Sequence, residues 1–301
     1  MKKIFVIWIT VLSCGFCMAQ GSANFIDDLR NRIRKGDIEA MYMLGGMSRY
    51  ENPELTARLF LEAAQKGHPM AMKEVGDMYY KGGVWTWEPD YKNAFEWYYK
   101  AAEKGITESI NMLGNMYYNG KGVQQDKGKA LVWYTKAAEK GLTLAMYNLG
   151  GLYYELRDYK MAFKWHSKVI ENRGLFEDNS KCYLGQMYYK GEGVQQDYKK
   201  AYDFFNAAEY VGGYAKGFLS EMYYNGFYVS KDYFKAFELA KEGAEDHNQP
   251  SGTAMRILSA CYRYGLGGTA IDNEKAEHWL KESADHDDEK AMRIYADNQK
   301  Q

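Results

Sequence analysis

Proline is scarce, with four in 301 residues, too few for a collagen-like or proline-rich stalk. An excess of one charge is missing too: Lys plus Arg number 39 and Asp plus Glu 40. That balance offers nothing to a nucleic acid, a polybasic membrane contact or an acidic solvating tail. The four cysteines include Cys14 and Cys17 near the start, and the two that remain, Cys182 and Cys261, cannot build a disulfide-stapled framework. Histidine is reduced to His68, His166, His247, His278 and His286. His278 and His286 flank no ligand spacing, and with the acidic stretch from Asp285 to Glu289 they read as solvated surface rather than a metal site. Patterns of the HExxH, GxSxG, SxxK and phosphate-loop kinds are missing, and CxxC occurs only at Cys14 and Cys17. No catalytic residue, metal ligand or cofactor is therefore assigned. With 46% apolar residues the chain must nonetheless fold, and its excess of 28 Tyr and 30 Gly has to be used by the fold.

No apolar run reaches the ~20 residues needed to span hydrocarbon. The run from Ile4 to Phe16 follows Lys2 and Lys3 and precedes Cys17-Met18-Ala19, which puts small residues where a signal peptidase cuts. Residues 1–19 read as an export signal, with a mature chain from Gln20 in the periplasm or outside the cell. An uncleaved anchor and lipoprotein processing at Cys14 are the alternatives, the second opposed by the large Leu12.

From residue 40 one phrase recurs. Residues 110–141 read INMLGNMYYNGKGVQQDKGKALVWYTKAAEKG and 181–212 read KCYLGQMYYKGEGVQQDYKKAYDFFNAAEYVG. The Leu-Gly step or a decayed form of it stands at Leu44, Val75, Leu113, Leu149, Leu184, Leu219 and Leu258, with offsets of 31, 38, 36, 35, 35 and 39. Self-similarity at that period means stacked hairpins. Ile110, Leu113, Gly114 and Tyr117 make one helical stripe, and Ala130, Trp133, Ala137 and Ala138 a second. Between them Asn119-Gly120-Lys121-Gly122 is a breaker, and Asp126 stands where an N-cap belongs. The same Asp returns as Asp90, Asp158, Asp197, Asp232 and Asp272. The small Gly114 is expected to admit Trp133 and Tyr117 into the gap between neighbouring helices. Cys182 and Cys261, two units apart, are expected to be unpaired and packed.

The phrase LGxMYYxGxGVxxDxxKAxxWYxKAAExG at 113–141 resembles the Sel1-like repeat, an α/α hairpin related to the tetratricopeptide repeat. The resemblance implies an all-α superhelical solenoid of about seven units over 40–287. An N-terminal capping segment at 20–39 precedes it and a C-terminal capping helix at 288–301 follows. It also implies a concave groove lined by the positions of Asn111, Asn115 and Tyr118. Carried along the chain, this predicts a ladder of Tyr80, Tyr118, Tyr154, Tyr189 and Tyr224, edged by Lys73, Asp77, Tyr147, Gln186 and Glu221. Tyrosine's flat apolar face and hydroxyl suit an extended peptide or a sugar, although the paired tyrosines also suit packing against the next unit. Trp85 and Trp87, in a loop insertion of the second unit, are candidate anchors at one end, or fold back over adjacent units. The implied function is an exported, non-catalytic scaffold that binds a protein or peptide. A cell-wall binding protein or enzyme, acting on peptidoglycan or β-lactams, is the alternative.

Overall fold

A computed structural model describes residues 24–83, 88–208, 212–286 and 288–298. The described residues are helical throughout. A first helix, α1 (24–34), buries Leu29, and seven helical hairpins follow. They are α2 Ile38–Met47 with α3 Pro53–Gln65, α4 Pro69–Lys81 with α5 Tyr91–Glu103, and α6 Thr107–Asn119 with α7 Lys127–Glu139. Then come α8 Thr143–Glu155 with α9 Tyr159–Glu171, α10 Glu177–Lys190 with α11 Tyr198–Ala207, α12 Gly212–Asn225 with α13 Tyr233–Ala244, and α14 Gly252–Tyr264 with α15 Asn273–Asp285. The last described helix is α16, Glu289–Asn298. The chain divides into one compact unit ending at Leu142 and a second beginning at Thr143. Inside each, from α2 onward, successive helices pack on one another, and in the second unit α12 also meets α10 and α14. This is the solenoid-like stacking of an all-α repeat fold.

In the second to the seventh hairpin the second helix starts where the sequence places a cap. The carboxylates of Asp90, Asp126, Asp158, Asp197, Asp232 and Asp272 each accept a backbone N–H three residues on, at 2.8–3.2 Å. Each satisfies a donor that a helix start would leave orphaned. The same residues' own N–H groups donate to the carbonyls of Tyr79, Tyr117, Tyr153, Tyr188, Tyr223 and Tyr262, so one Asp ties both helices of its hairpin. The breaker loops are turns: Gly120 and Gly122 take φ of +68° and +72°, and a Cβ on Gly122 would stand 2.2 Å from the Tyr91 carbonyl oxygen. Backbone conformation and backbone contact both demand glycine there.

The packing differs from expectation in which ring uses the Leu-Gly glycine. A Cβ on Gly114 would lie 2.5 Å from the ring of Tyr134, not of Trp133 or Tyr117. Gly45, Gly76, Gly150 and Gly185 likewise face Phe60, Tyr98, His166 and Phe205, the equivalent residues of their own hairpins. All five of these rings are buried. The reason is helical phase: Tyr134 lies four residues after Ala130, on the alanine's own face, whereas Trp133 is turned aside. Trp133 is half-buried, edge-on to Tyr99 at 6.1 Å and capped by the Lys136 ammonium at 4.5 Å. Where Ser220 and Ser259 replace the glycine, the residues at the ring's register position are Ala240 and Leu280. The aromatic ring is lost where the space for it is lost.

Cys182 and Cys261 are unpaired and buried, as expected. Burial pushes their thiols up to about 12 and about 11.

Candidate functional site

The second tyrosine of each pair is half-buried or buried, and it packs within its hairpin. Tyr80, Tyr154, Tyr189 and Tyr224 meet Tyr91, Tyr159, Tyr198 and Tyr233 edge-on at centroid distances of 5.2, 5.2, 5.4 and 5.4 Å. The partner is in each case the first residue of the second helix. Tyr118 departs from the pattern because Lys127 stands at that place.

Each of these four also reaches the glycine loop of the following hairpin. The Tyr80 hydroxyl accepts from Lys121 Nζ at 3.1 Å, and the Tyr154 hydroxyl donates to the Glu192 carboxylate. Tyr189 meets Phe227 at 6.1 Å, and Tyr224 shares an apolar cluster with Leu266. Lys121, Glu192, Phe227 and Leu266 occupy the same middle position of their loops. The first tyrosines face the other way: Tyr117, Tyr188 and Tyr262 stand edge-on to Phe95, Phe163 and Phe237 of the preceding hairpin.

The other predicted residues are engaged within the chain as well. Asn115 accepts the Tyr134 hydroxyl at 2.7 Å, just as Asp77 accepts that of Tyr98 at 2.6 Å. Asn111 is buried. Tyr147 stacks on Phe176 at 5.0 Å and stands edge-on to His166. Gln186 is buried and accepts the Tyr214 hydroxyl. Trp85 and Trp87 lie outside the described residues.

In the second unit the structure gathers Gln186, Tyr189 and Glu221 around one cavity of about 360 Å3. Its wall comes largely from first helices: Gln186, Tyr189 and Lys190 from α10, Tyr214, Phe218 and Glu221 from α12, and Thr253 and Arg256 from α14. Asp288, Glu289 and Lys290 at the start of α16 close it. The Arg256 guanidinium bridges two carboxylates, Nη2 lying 3.0 Å from Glu221 Oε1 and Nε 3.1 Å from Asp288 Oδ1. Asp288 also accepts from Thr253 Oγ1 and caps α16 through the Ala291 N–H. Burial pulls the Arg256 pKa down, and the two carboxylates more than restore it, so it ends above its ordinary value. Burial and the Glu221 carboxylate together push the Tyr189 hydroxyl far up, so it is a hydrogen-bond donor and not an ionisable group.

Sequence reading missed Arg256 although a signal exists. Arg256 stands two residues before Leu258, as Asn111 does before Leu113. Asp288 and Lys290 stand at the start of the C-terminal capping helix, away from the groove positions read along the repeats. Among the described residues no cluster of His, Cys, Asp and Glu could hold a metal ion, and no helix is long and apolar enough to cross a membrane.

A family model described as Sel1 repeat matches residues 38–68, 69–106, 107–142, 143–172, 179–209, 214–248 and 252–288. Among solved structures, a Sel1 repeat protein from Oxalobacter formigenes is 27% identical, with a TM-score of 0.64 over 83% of this chain and 100% of that one. A protective antigen present in uropathogenic Escherichia coli strains, displaying an SLR fold, is 28% identical with a TM-score of 0.55. That match covers 90% of this chain, which spans 66% of the antigen's length. No curated protein matches the chain. Neither the family nor these relatives supports a cell-wall glycan as partner.

Proposed function

Since the chain belongs to the Sel1 repeat family, whose members are in general protein–protein interaction scaffolds, we propose that it is an exported adaptor. It holds a protein or peptide partner on the face built by the first helices of its hairpins, and carries out no catalysis of its own. The observation that carries this reading is the second-unit cavity, where α10, α12 and α14 present charged, amide and aromatic side chains together on one face. Binding there uses a surface already ordered by the hairpin stacking, so little conformational entropy is lost on association. The export signal over 1–19 supports a site of action outside the cytoplasm.

The second tyrosines are then part groove and part joint. Their rings are spent on packing, and their exposed edges complete the partner surface. A photoreactive residue in place of Tyr118 or Tyr154, introduced in the producing cells, is expected to crosslink to one dominant partner. Positions on the exposed side of second helices, such as Lys92 or Glu96, serve as controls. Crosslinking from the controls with none from the tyrosine positions would overturn the reading.

A further inference from the structure

The cavity of the second unit holds an uneven set of charges. Glu221 and Asp288 have only 4% and 7% of their side chains exposed, and the one guanidinium between them, Arg256, has 13%. Two buried carboxylates against one buried cation leave one negative charge to be met, and an unmet charge at that depth is strongly unfavourable. Lys190 and Glu289, both exposed at the wall, together add no net charge. His286, also at the wall, directs its Nδ1 to the Glu282 carbonyl 2.8 Å away and not to the carboxylates. The missing cation is Lys290, whose Nζ stands 2.7 Å from Glu221 Oε1. It comes from 69 residues away and keeps 63% of its side chain exposed. The ammonium is seated while the stem is not.

Three aromatic side chains, Tyr189, Tyr214 and Phe218, stand around the same space. An aromatic lining beside a buried carboxylate suits a lysine side chain, the carboxylate taking the ammonium and the rings packing on its methylene stem. The cavity thus has an acceptor, ring walls and room to spare, while its present occupant only reaches in from the rim. We infer that this cavity is a lysine-recognition site, in which Lys290 stands in for the lysine side chain of a partner peptide and is displaced by it. The inference rests on the proposed docking face and names the chemistry of what docks there.

The stand-in lowers the apparent affinity by the fraction of time that it fills the site. Removing it therefore has a signed effect. The probe is acetyl-Gly-Lys-Gly-amide, titrated calorimetrically into the whole chain at low salt, beside the same peptide acetylated on the lysine Nε. Lys290→Ala is expected to bind the lysine peptide at least tenfold more tightly than the unaltered chain and to ignore the acetylated one. Lys290→Gln, which keeps a donor but no charge, is expected to gain as well. No gain in either variant, or equal binding of the acetylated peptide, would overturn the inference. Glu221→Gln in the Lys290→Ala background is expected to abolish binding, and retained binding would count against the site. If loss of Glu221 unfolds the repeat, as a melting scan will show, the acetylated-peptide comparison on Lys290→Ala decides alone. Peptide failure with crosslinking intact at Tyr118 or Tyr154 sinks only this inference, whereas loss of the crosslinks sinks the docking face itself.

Discussion

His166 in the second unit is a histidine that burial keeps neutral far into acid. Its ring is fully buried, stacked on Tyr183 at 4.3 Å and pressed against Gly150, with Nδ1 3.1 Å from Ser180 Oγ and Nε2 without a partner. Burial lowers its pKa to about 3. In the unfolded chain the same ring titrates near 6.5. Below that value the unfolded state takes up a proton that the folded state refuses. Stability is therefore complete above 6.5 and is lost as the pH falls towards 3. Urea unfolding is expected to show a loss of roughly 2 kcal/mol from this ring between pH 6 and pH 4.5, at about 1.4 kcal/mol per pH unit. His166→Phe, which copies the Phe205 arrangement, should remove that slope, and an unchanged slope would assign the acid sensitivity elsewhere. The two cysteines give a second check at this scale. With thiols raised to about 12 and about 11, neither is expected to react with iodoacetamide in the folded chain, and both should react in denaturant.

At the scale of the element, each of the first five hairpins is set by one glycine and one ring. Gly114→Ala gains up to ~1 kcal/mol in helix propensity, but its methyl meets the Tyr134 ring at 2.5 Å, and overpacking costs about 1–3 kcal/mol. Overpacking wins, and the expected result is a net loss of about 1–2 kcal/mol in denaturant unfolding. Tyr134→Ala alone should cost about 3–5 kcal/mol, as buried aromatic truncations do. The pair Gly114→Ser with Tyr134→Ala reproduces Ser220 with Ala240 and should cost less than the sum of the two single changes. Simple additivity would refute the matched-pair account. Much of this was legible beforehand, because seven phrases in register reveal helix faces, turn glycines and N-cap aspartates together. The ring at Gly114 was not, since Trp133 and Tyr134 are adjacent and only the phase of a folded helix separates them. The cavity was half legible. Gln186, Tyr189 and Glu221 follow from the register, and Arg256 follows from carrying the Asn111 position to the seventh hairpin. Asp288 caps α16 and Lys290 lies in its first turn, and neither stands at a register position that the groove reading follows.

For the whole molecule, the matched repeat region runs from residue 38 to 288 and follows a leader-like segment. Export predicts that the chain recovered from its producing cells begins at Gln20, which intact mass measurement will read directly. A mass that retains Met1 to Ala19, or one carrying lipid at Cys14, would redirect the localisation. Stability in such an array is the sum of hairpin terms and nearest-neighbour terms, so the contacts between successive hairpins matter as much as those within them. Those contacts are not uniform. The tyrosine that ends one first helix meets a cation at Lys121, an anion at Glu192, a ring at Phe227 and a branched aliphatic at Leu266. Each of these four joints thereby has a chemical identity of its own, and the order of the hairpins they connect is written into the seams. Excising one hairpin by recombination would bring a tyrosine against a loop chosen for a different neighbour, so the array resists the shuffling that its periodic sequence would otherwise invite.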